Sequence, residues 1–93
     1  MITAFVLVHT AADHIPDAAA AIADVPGVAE VYSCAGDVDL IAVLRVRDHE
    51  EIAEVVTARV NKVAGVVRTV THIAFRSYSS ADTEAGFELG ADS

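Results

Sequence analysis

The sequence is poor in the residues that build many catalytic and metal sites. It has no tryptophan and one cysteine, Cys34, and its five glycines are isolated from one another. One cysteine excludes an internal disulfide, and isolated glycines do not form phosphate-binding or dinucleotide-binding loops. The chain has no nucleophile elbow, and His9, His14, His49 and His72 show no short metal-ligand spacing. We therefore expect no catalytic residues, no metal site and no cofactor.

Basic residues are also scarce, which limits the possible partners. Lys and Arg total 6 against 14 Asp and Glu, for a net charge of -8. A protein that binds nucleic acid presents clustered Lys or Arg to the phosphates, and here the basic residues are scattered. The sequence has no charged leader followed by an apolar segment and no long apolar span. We expect a soluble, cytoplasmic protein that binds neither a membrane nor, by itself, nucleic acid.

Apolar residues, in contrast, are abundant and unevenly distributed. They make up 54% of the 93 residues, which is high for a small domain with much surface to cover. Part of that apolar surface is expected to contact another chain. The last fifteen residues, SSADTEAGFELGADS, carry four acids and no base. We interpret residues 79–93 as an acidic, flexible tail that follows one folded domain, residues 1–78.

The sequence repeats itself with a shift of 38 residues. ITAFVLVH at 2–9 falls on LIAVLRVR at 40–47, and VPGV at 25–28 falls on VAGV at 63–66. Each unit reads as a strand, a helix and the entry to a second strand. Two such units joined by a hairpin are typical of the α+β ferredoxin-like sandwich, a β-α-β-β-α-β chain whose helices cover one face of an antiparallel sheet.

Apolar spacing locates the elements within this repeat. One helix is predicted over 15–25, where Pro16 is tolerated in the first turn. A second is predicted over 49–63, with Asp48 and Glu51 as its capping box. The predicted strands cover residues 2–9, 28–35, 38–47 and 66–77.

The first and third predicted strands are apolar on both faces. In the first, Ala4, Val6 and Val8 alternate with Phe5 and Leu7. Two helices cover only one face of a sheet, so the other face is expected to pack against another sheet. The simplest source is a second copy of the chain. We expect a symmetric, face-to-face homodimer of the dimeric α/β-barrel type.

The stretch SCAGDVDL, residues 33–40, places a glycine and two acids between apolar strands. A two-residue hairpin at Gly36-Asp37 explains the glycine and Asp37 in structural terms. Asp39 is different, because it is predicted to lie inside a strand beside apolar side chains. A carboxylate there needs a partner, which a ligand or a neighbouring chain could supply at the rim of the sheet.

Thr69 and Thr71 share one face of the last predicted strand. β-Propensity alone explains threonines in a strand. Their hydroxyls could also bind a carboxylate, so a structural and a ligand-binding interpretation are both open.

The segment VPGVAEVYSCAGDVDLIAVLRVRDHEEI, followed by AGVVRTVTHIAF, resembles the effector-binding (RAM-type) domain of the Lrp/AsnC family. The resemblance covers about residues 1–78 and rests on the order and spacing of short motifs. These motifs are Gly27-Val28, Gly36 with Asp39, Arg45-Val46-Arg47-Asp48, and Gly65-Val66 with Thr69 and Thr71.

The resemblance implies a domain that dimerises through its sheets and assembles further into tetramers, octamers or larger rings. It implies an amino-acid ligand near the Gly-x-x-Asp hairpin, with Asp39 or Asp37 facing the ammonium. Thr69, Thr71 and the Gly36 turn would then face the carboxylate. Family members usually carry an N-terminal helix-turn-helix, whereas this sequence begins with the first strand and is similar to the stand-alone form. Such a domain is expected to bind effectors or to co-assemble with a full-length regulator.

Two other functions stay open at this point. Dimeric ferredoxin-like barrels also include small oxygenases and isomerases, although the scarcity of Trp, Tyr and Asn argues against an enzyme. A purely structural partner would use its acidic surface only for assembly. Asp39 and the threonines at a seam between dimers would favour the amino-acid sensor. A polar cavity within one subunit around His9 or His72 would favour the enzyme.

Overall fold

The computed structural model describes residues 1–80 and shows a four-stranded antiparallel sheet with helices against one face. The strands are β1 Ile2–Thr10, β2 Val28–Ser33, β3 Leu40–Val46 and β4 Val66–Ile73, and the α-helices are α1 Ile15–Ala23 and α2 His49–Ala53. Neighbouring strands lie in the order β2-β3-β1-β4. This is the ferredoxin-like arrangement, so the predicted fold is confirmed. The acidic segment 79–93 lies outside the described residues, apart from its first two positions.

The first helix begins as predicted and ends two residues early. A 3₁₀ turn, Ala12–His14, leads into α1, and Pro16 lies in its first turn. Beyond Ala23 the chain tightens, because the amide of Val25 donates to the carbonyl of Ile22 at 3.0 Å. Gly27, with φ +99°, then turns the chain into β2.

The predicted capping box at the second helix is confirmed. The Asp48 side chain accepts a hydrogen bond from the Glu51 amide at 2.9 Å. The Glu51 side chain reaches back and accepts from the Arg47 amide, also at 2.9 Å. The first bond satisfies an amide that a helix N-terminus leaves unpaired, and the second ties Glu51 to the residue before the N-cap.

The middle of the second helix is wider than an α-helix. The run continues from α2 through a π-helical segment, Glu54–Arg59, and ends in a 3₁₀ turn, Val60–Lys62. The predicted helix over 49–63 is therefore one helical run with an extra residue in its central turn. Val55 and Val60 from this run are buried against the sheet.

The hydrophobic core lies between the helices and one face of the sheet. The largest fully buried side chains are Ile22, Leu40, Leu44, Val6, Val8, Val46 and Val60. In the antiparallel register, Val8 lies opposite Leu40 and Ala4 lies opposite Leu44. These cross-strand aliphatic pairs bring the two central strands together beneath the helices.

The opposite face of the sheet is also apolar, and we call it the open face. Phe5 and Leu7 of β1 alternate with the buried residues and pair with Val43 and Ile41 of β3. Phe5 is 39% exposed and Val70 of β4 is 40% exposed. The predicted two-sided apolar character of the central strands is confirmed.

Two turn glycines occupy equivalent positions in the two halves of the repeat. Gly27 and Gly65 both have positive φ, at +99° and +91°. A Cβ on Gly27 would lie 2.9 Å from a Val55 methyl and 3.3 Å from a Val46 methyl. A Cβ on Gly65 would overlap the side chain of His14. Glycine is required at both turns by conformation and by close packing.

Three predicted strand ends need correction. β2 ends at Ser33 and β3 begins at Leu40, so the two-residue hairpin at Gly36-Asp37 is wrong. β4 ends at Ile73 rather than at residue 77. Its neighbour β1 begins at residue 2, and the last backbone hydrogen bond between these two segments joins the Ala74 amide to the Thr3 carbonyl. Beyond that point, β4 has no further strand to pair with in residues 1–80.

We expect Leu44→Ala to lower the free energy of unfolding by about 2–5 kcal/mol, because it leaves a cavity in a close-packed core. Val67→Ala is the control, since Val67 is 72% exposed and its truncation should change stability by less than about 0.5 kcal/mol. Urea unfolding followed by circular dichroism measures both. Equal effects of the two substitutions would contradict this assignment of the core.

Candidate functional site

The connection between β2 and β3 frames the candidate site, and we call residues 34–39 the hairpin loop. A backbone hydrogen bond of 2.9 Å from the Cys34 amide to the Asp39 carbonyl closes it. Gly36 has φ +120°, and a Cβ there would meet nothing within 4 Å. The positive φ at position 36, and not close packing, therefore favours glycine there. The tip of the loop, including Asp37, is exposed.

Asp39 fastens the hairpin loop to β1. Its amide donates to the Val8 carbonyl at 3.0 Å, and its Oδ2 accepts from the Thr10 amide at 2.8 Å in a partly buried setting. Asp39 precedes β3 rather than lying inside a strand, which corrects the predicted position. Within residues 1–80 its side-chain bond engages Oδ2 and leaves Oδ1 available.

Two buried polar atoms next to Asp39 lack a partner in the described part of the chain. They are Nδ1 of His9 and Oγ1 of Thr10. His9 Nε2 lies 3.3 Å from an Arg68 guanidinium nitrogen, which can only donate, so the ring proton is assigned to Nδ1. Unpartnered buried polar atoms are rare in folded proteins. Their position beside Asp39 marks this end of the sheet as a site that a further molecule could complete.

Thr69 and Thr71 lie on the helical side of the edge strand β4. They pair with Val8 and Val6, whose side chains are fully buried beneath the helices. The Thr69 hydroxyl donates to Asn61 Oδ1 at 2.7 Å, so it already has an acceptor.

One subunit therefore does not bring all the predicted site residues together. β1 lies between β3 and β4, which places the Asp39 and Thr69 backbones about 10 Å apart across two strand spacings. Gly36, Asp37 and Asp39 share the hairpin loop. Thr69 and Thr71 form a separate group on the edge strand β4.

Sequence reasoning missed three residues of this end of the sheet. His9 entered only as a candidate metal ligand or enzyme residue, and Thr10 and Arg68 were not considered as site residues. His9 and Thr10 come close to Asp39 through the register of β1 with β3, in which Val8 lies opposite Leu40. Arg68 lies opposite His9 through the register of β1 with β4. The polar His-Thr pair that ends an apolar strand is the signal that could have directed attention there.

A small polar group lies on the open face at the β2 edge. The Tyr32 hydroxyl donates to Glu30, and Glu30 lies 3.5 Å from the Arg45 guanidinium. The hydrogen bond to Glu30, followed by repulsion from its negative charge, raises the pKa of Tyr32 above its ordinary value. The phenol is thus held in its neutral, proton-donating form.

In residues 1–80 no three His, Cys, Asp or Glu side chains are grouped so as to hold a metal ion. Over the same range no helix is long and apolar enough to span a membrane.

Comparison with known families and proteins gives a consistent result. Residues 3–83 match the family model described as the Lrp/AsnC ligand binding domain. An uncharacterized HTH-type transcriptional regulator of Pyrococcus furiosus is 36% identical over 76 residues, which is 78% of this chain and 51% of that protein. The chain spans about half the length of the curated relatives it matches.

Solved structures with the same fold add two comparisons. The protein TTHA0845 from Thermus thermophilus is 47% identical with a TM-score of 0.81, and the match covers 85% of this chain and 99% of that one. A feast or famine regulatory protein from M. tuberculosis, complexed with L-methionine, is 25% identical with a TM-score of 0.71. That match covers 86% of this chain and 54% of the other.

We expect Asp39→Ala to lower the free energy of unfolding by about 1–3 kcal/mol, because it removes the acceptor of the partly buried Thr10 amide. Asp37→Ala is the matched control in the same loop, and its exposed side chain predicts a change below about 0.5 kcal/mol. Thermal and urea unfolding without ligand measure both. If the two variants are equally stable, Asp39 does not fasten the loop.

Proposed function

Because the chain belongs to the Lrp/AsnC family of ligand-binding domains, we propose that it acts as an amino-acid sensor whose assembly responds to its ligand. The observation that carries this proposal is the partly buried carboxylate of Asp39, held by the Thr10 amide at the end of β1, where His9 and Thr10 each have a buried polar atom without a partner in residues 1–80. The relatives are named as transcriptional regulators, which favours a regulatory effector domain over the small oxygenase or isomerase considered from the sequence.

The ammonium of the ligand binds Asp39 in this proposal. An ammonium needs an anionic acceptor, and Oδ1 is available while Oδ2 is held by the Thr10 amide. The bond to Thr10 fixes the orientation of the carboxylate before the ligand arrives, which reduces the entropy lost on binding. Asp37 at the exposed loop tip adds a second negative charge that attracts the ammonium.

The carboxylate of the ligand binds donors from the hairpin loop and from a second subunit. The Gly36 turn exposes backbone that a small anion can approach closely. Thr71 of the second subunit is a better hydroxyl donor than Thr69, because Thr69 already donates to Asn61. A site divided in this way couples ligand binding to assembly, since it is incomplete in one subunit.

Assembly occurs through the open face. Burying Phe5, Leu7 and Val70 against their equivalents in a second copy removes apolar surface that the helices leave uncovered. Dimers formed in this way assemble further into octamers or larger rings through ligand-binding seams.

The sensor acts on genes through another protein. The net charge of -8 disfavours direct contact with DNA phosphates. We propose that it co-assembles with a full-length Lrp/AsnC regulator, which contacts the DNA.

A thermal-shift screen against the twenty amino acids tests ligand binding, because a ligand at one hundred times its Kd stabilises the native state by about 2.7 kcal/mol. Calorimetric titration then compares Asp39→Asn with the unmodified chain. The asparagine oxygen can still accept from Thr10, so stability should be retained. Its amide hydrogens would face the ammonium, and binding should weaken by about 1.5–3 kcal/mol.

Asp24→Asn serves as the control for lost charge, because Asp24 is exposed at the C-terminal end of α1, which leads into the start of β2 at the opposite end of the sheet from the hairpin loop. Its affinity should match that of the unmodified chain. If Asp39→Asn binds the amino acid with unchanged affinity, the ammonium does not bind at Asp39. If none of the twenty amino acids stabilises the protein, the sensor proposal is wrong.

Light scattering at micromolar concentration should report a dimer or a multiple of it. Leu7→Glu places a charge in the centre of the open face and should reduce the mass, because an unpaired charge is costly to bury. Val67→Glu, at a residue that is 72% exposed, should leave the mass unchanged. A folded, monomeric unmodified chain would contradict assembly through this face.

A further inference from the structure

A groove lies at the opposite end of the sheet from the hairpin loop. It runs between the start of β1 and residues 74–78, which continue beyond β4. Its volume is about 850 Å³, within the range of cavities that bind small molecules. The bond from the Ala74 amide to the Thr3 carbonyl, 2.9 Å long, holds the start of this segment against β1.

The walls of the groove combine aromatic and aliphatic surface with positive charge. Ile73, Phe75 and Tyr78 supply the apolar part, and Phe5 lines the groove where it adjoins the open face. Phe75 is 97% exposed and Tyr78 is 83% exposed, so both rings can be covered by a bound molecule.

The groove is also lined by basic side chains. They are Arg45, Arg76 and His49, and no Asp or Glu among residues 1–80 lines the groove. This is unexpected in a chain with 14 acids and 6 Lys and Arg. Glu30 approaches Arg45 only at 3.5 Å and through one guanidinium nitrogen, which leaves the other donors for an anion.

We propose that this groove binds a small carboxylate that has an apolar or aromatic body and no ammonium. The planar guanidinium groups suit a carboxylate, and the rings suit the body. A free amino acid fits less well, because its ammonium would lie among positive charges, and no carboxylate of residues 1–80 lines the groove to accept it. The groove therefore differs in chemistry from the Asp39 site, and its occupation does not depend on the sensor proposal.

The test uses a pair of probes that differ only in the ammonium, 3-phenylpropanoate and phenylalanine. Both are titrated calorimetrically into the full chain carrying Asp39→Asn, which disables the proposed ammonium site. We expect 3-phenylpropanoate to bind at least about tenfold more tightly than phenylalanine. Equal affinities, or no binding of 3-phenylpropanoate at millimolar concentration, would overturn the proposal.

Substitutions then locate the binding. Arg45→Gln and Arg76→Gln should each weaken 3-phenylpropanoate binding by about tenfold or more, as expected for the loss of a charged hydrogen bond. Arg59→Gln removes the same charge from the helical run, outside the groove, and should have no effect. Equal weakening by Arg59→Gln would indicate nonspecific attraction and overturn the assignment.

A second copy of the chain is the competing occupant. If it fills the groove, the Arg45→Gln, Arg76→Gln double variant will change the mass measured by light scattering, and 3-phenylpropanoate will not bind the assembled protein. That combination would overturn the small-molecule proposal. An unchanged mass together with weakened binding would support it.

Discussion

A sheet with two apolar faces and helices on only one of them is the constraint on which this molecule depends. The helices pack on the side of Val6, Val8 and Leu44, where burial is complete. The helices do not cover the open face, where Phe5 and Val70 stay partly exposed. In a chain of 93 residues, the proposed second copy that covers this face would therefore also stabilise the fold.

The two candidate sites lie at opposite ends of the sheet, where the backbone hydrogen bonds between its strands stop. At one end Asp39 uses its amide, carbonyl and carboxylate to connect β1, β2 and β3, so the group proposed to bind the ligand also fastens the loop. At the other end the chain continues from β4 past the start of β1, and residues 74–78 form one wall of the groove. Both proposed sites have the sheet as their base, which favours preorganised binding.

The sequence was most informative where local pattern decides structure. The 38-residue repeat predicted the order of elements, alternation predicted both faces of β1, and Asp48 with Glu51 predicted the start of α2. The width of the hairpin loop was missed because Asp39 is held by Thr10, a contact across 29 residues that local turn preferences do not contain. The proximity of His9 to Arg68 across 59 residues likewise depends on strand register.

The two turn glycines make the halves of the repeat dependent on each other. Gly27, in the first half, fits against Val46 and Val55 of the second, and Gly65, in the second half, fits against His14 of the first. Each half therefore completes the tightest turn of the other, although both have the same β-α-β plan. This mutual packing favours cooperative folding of the two duplicated parts as one unit.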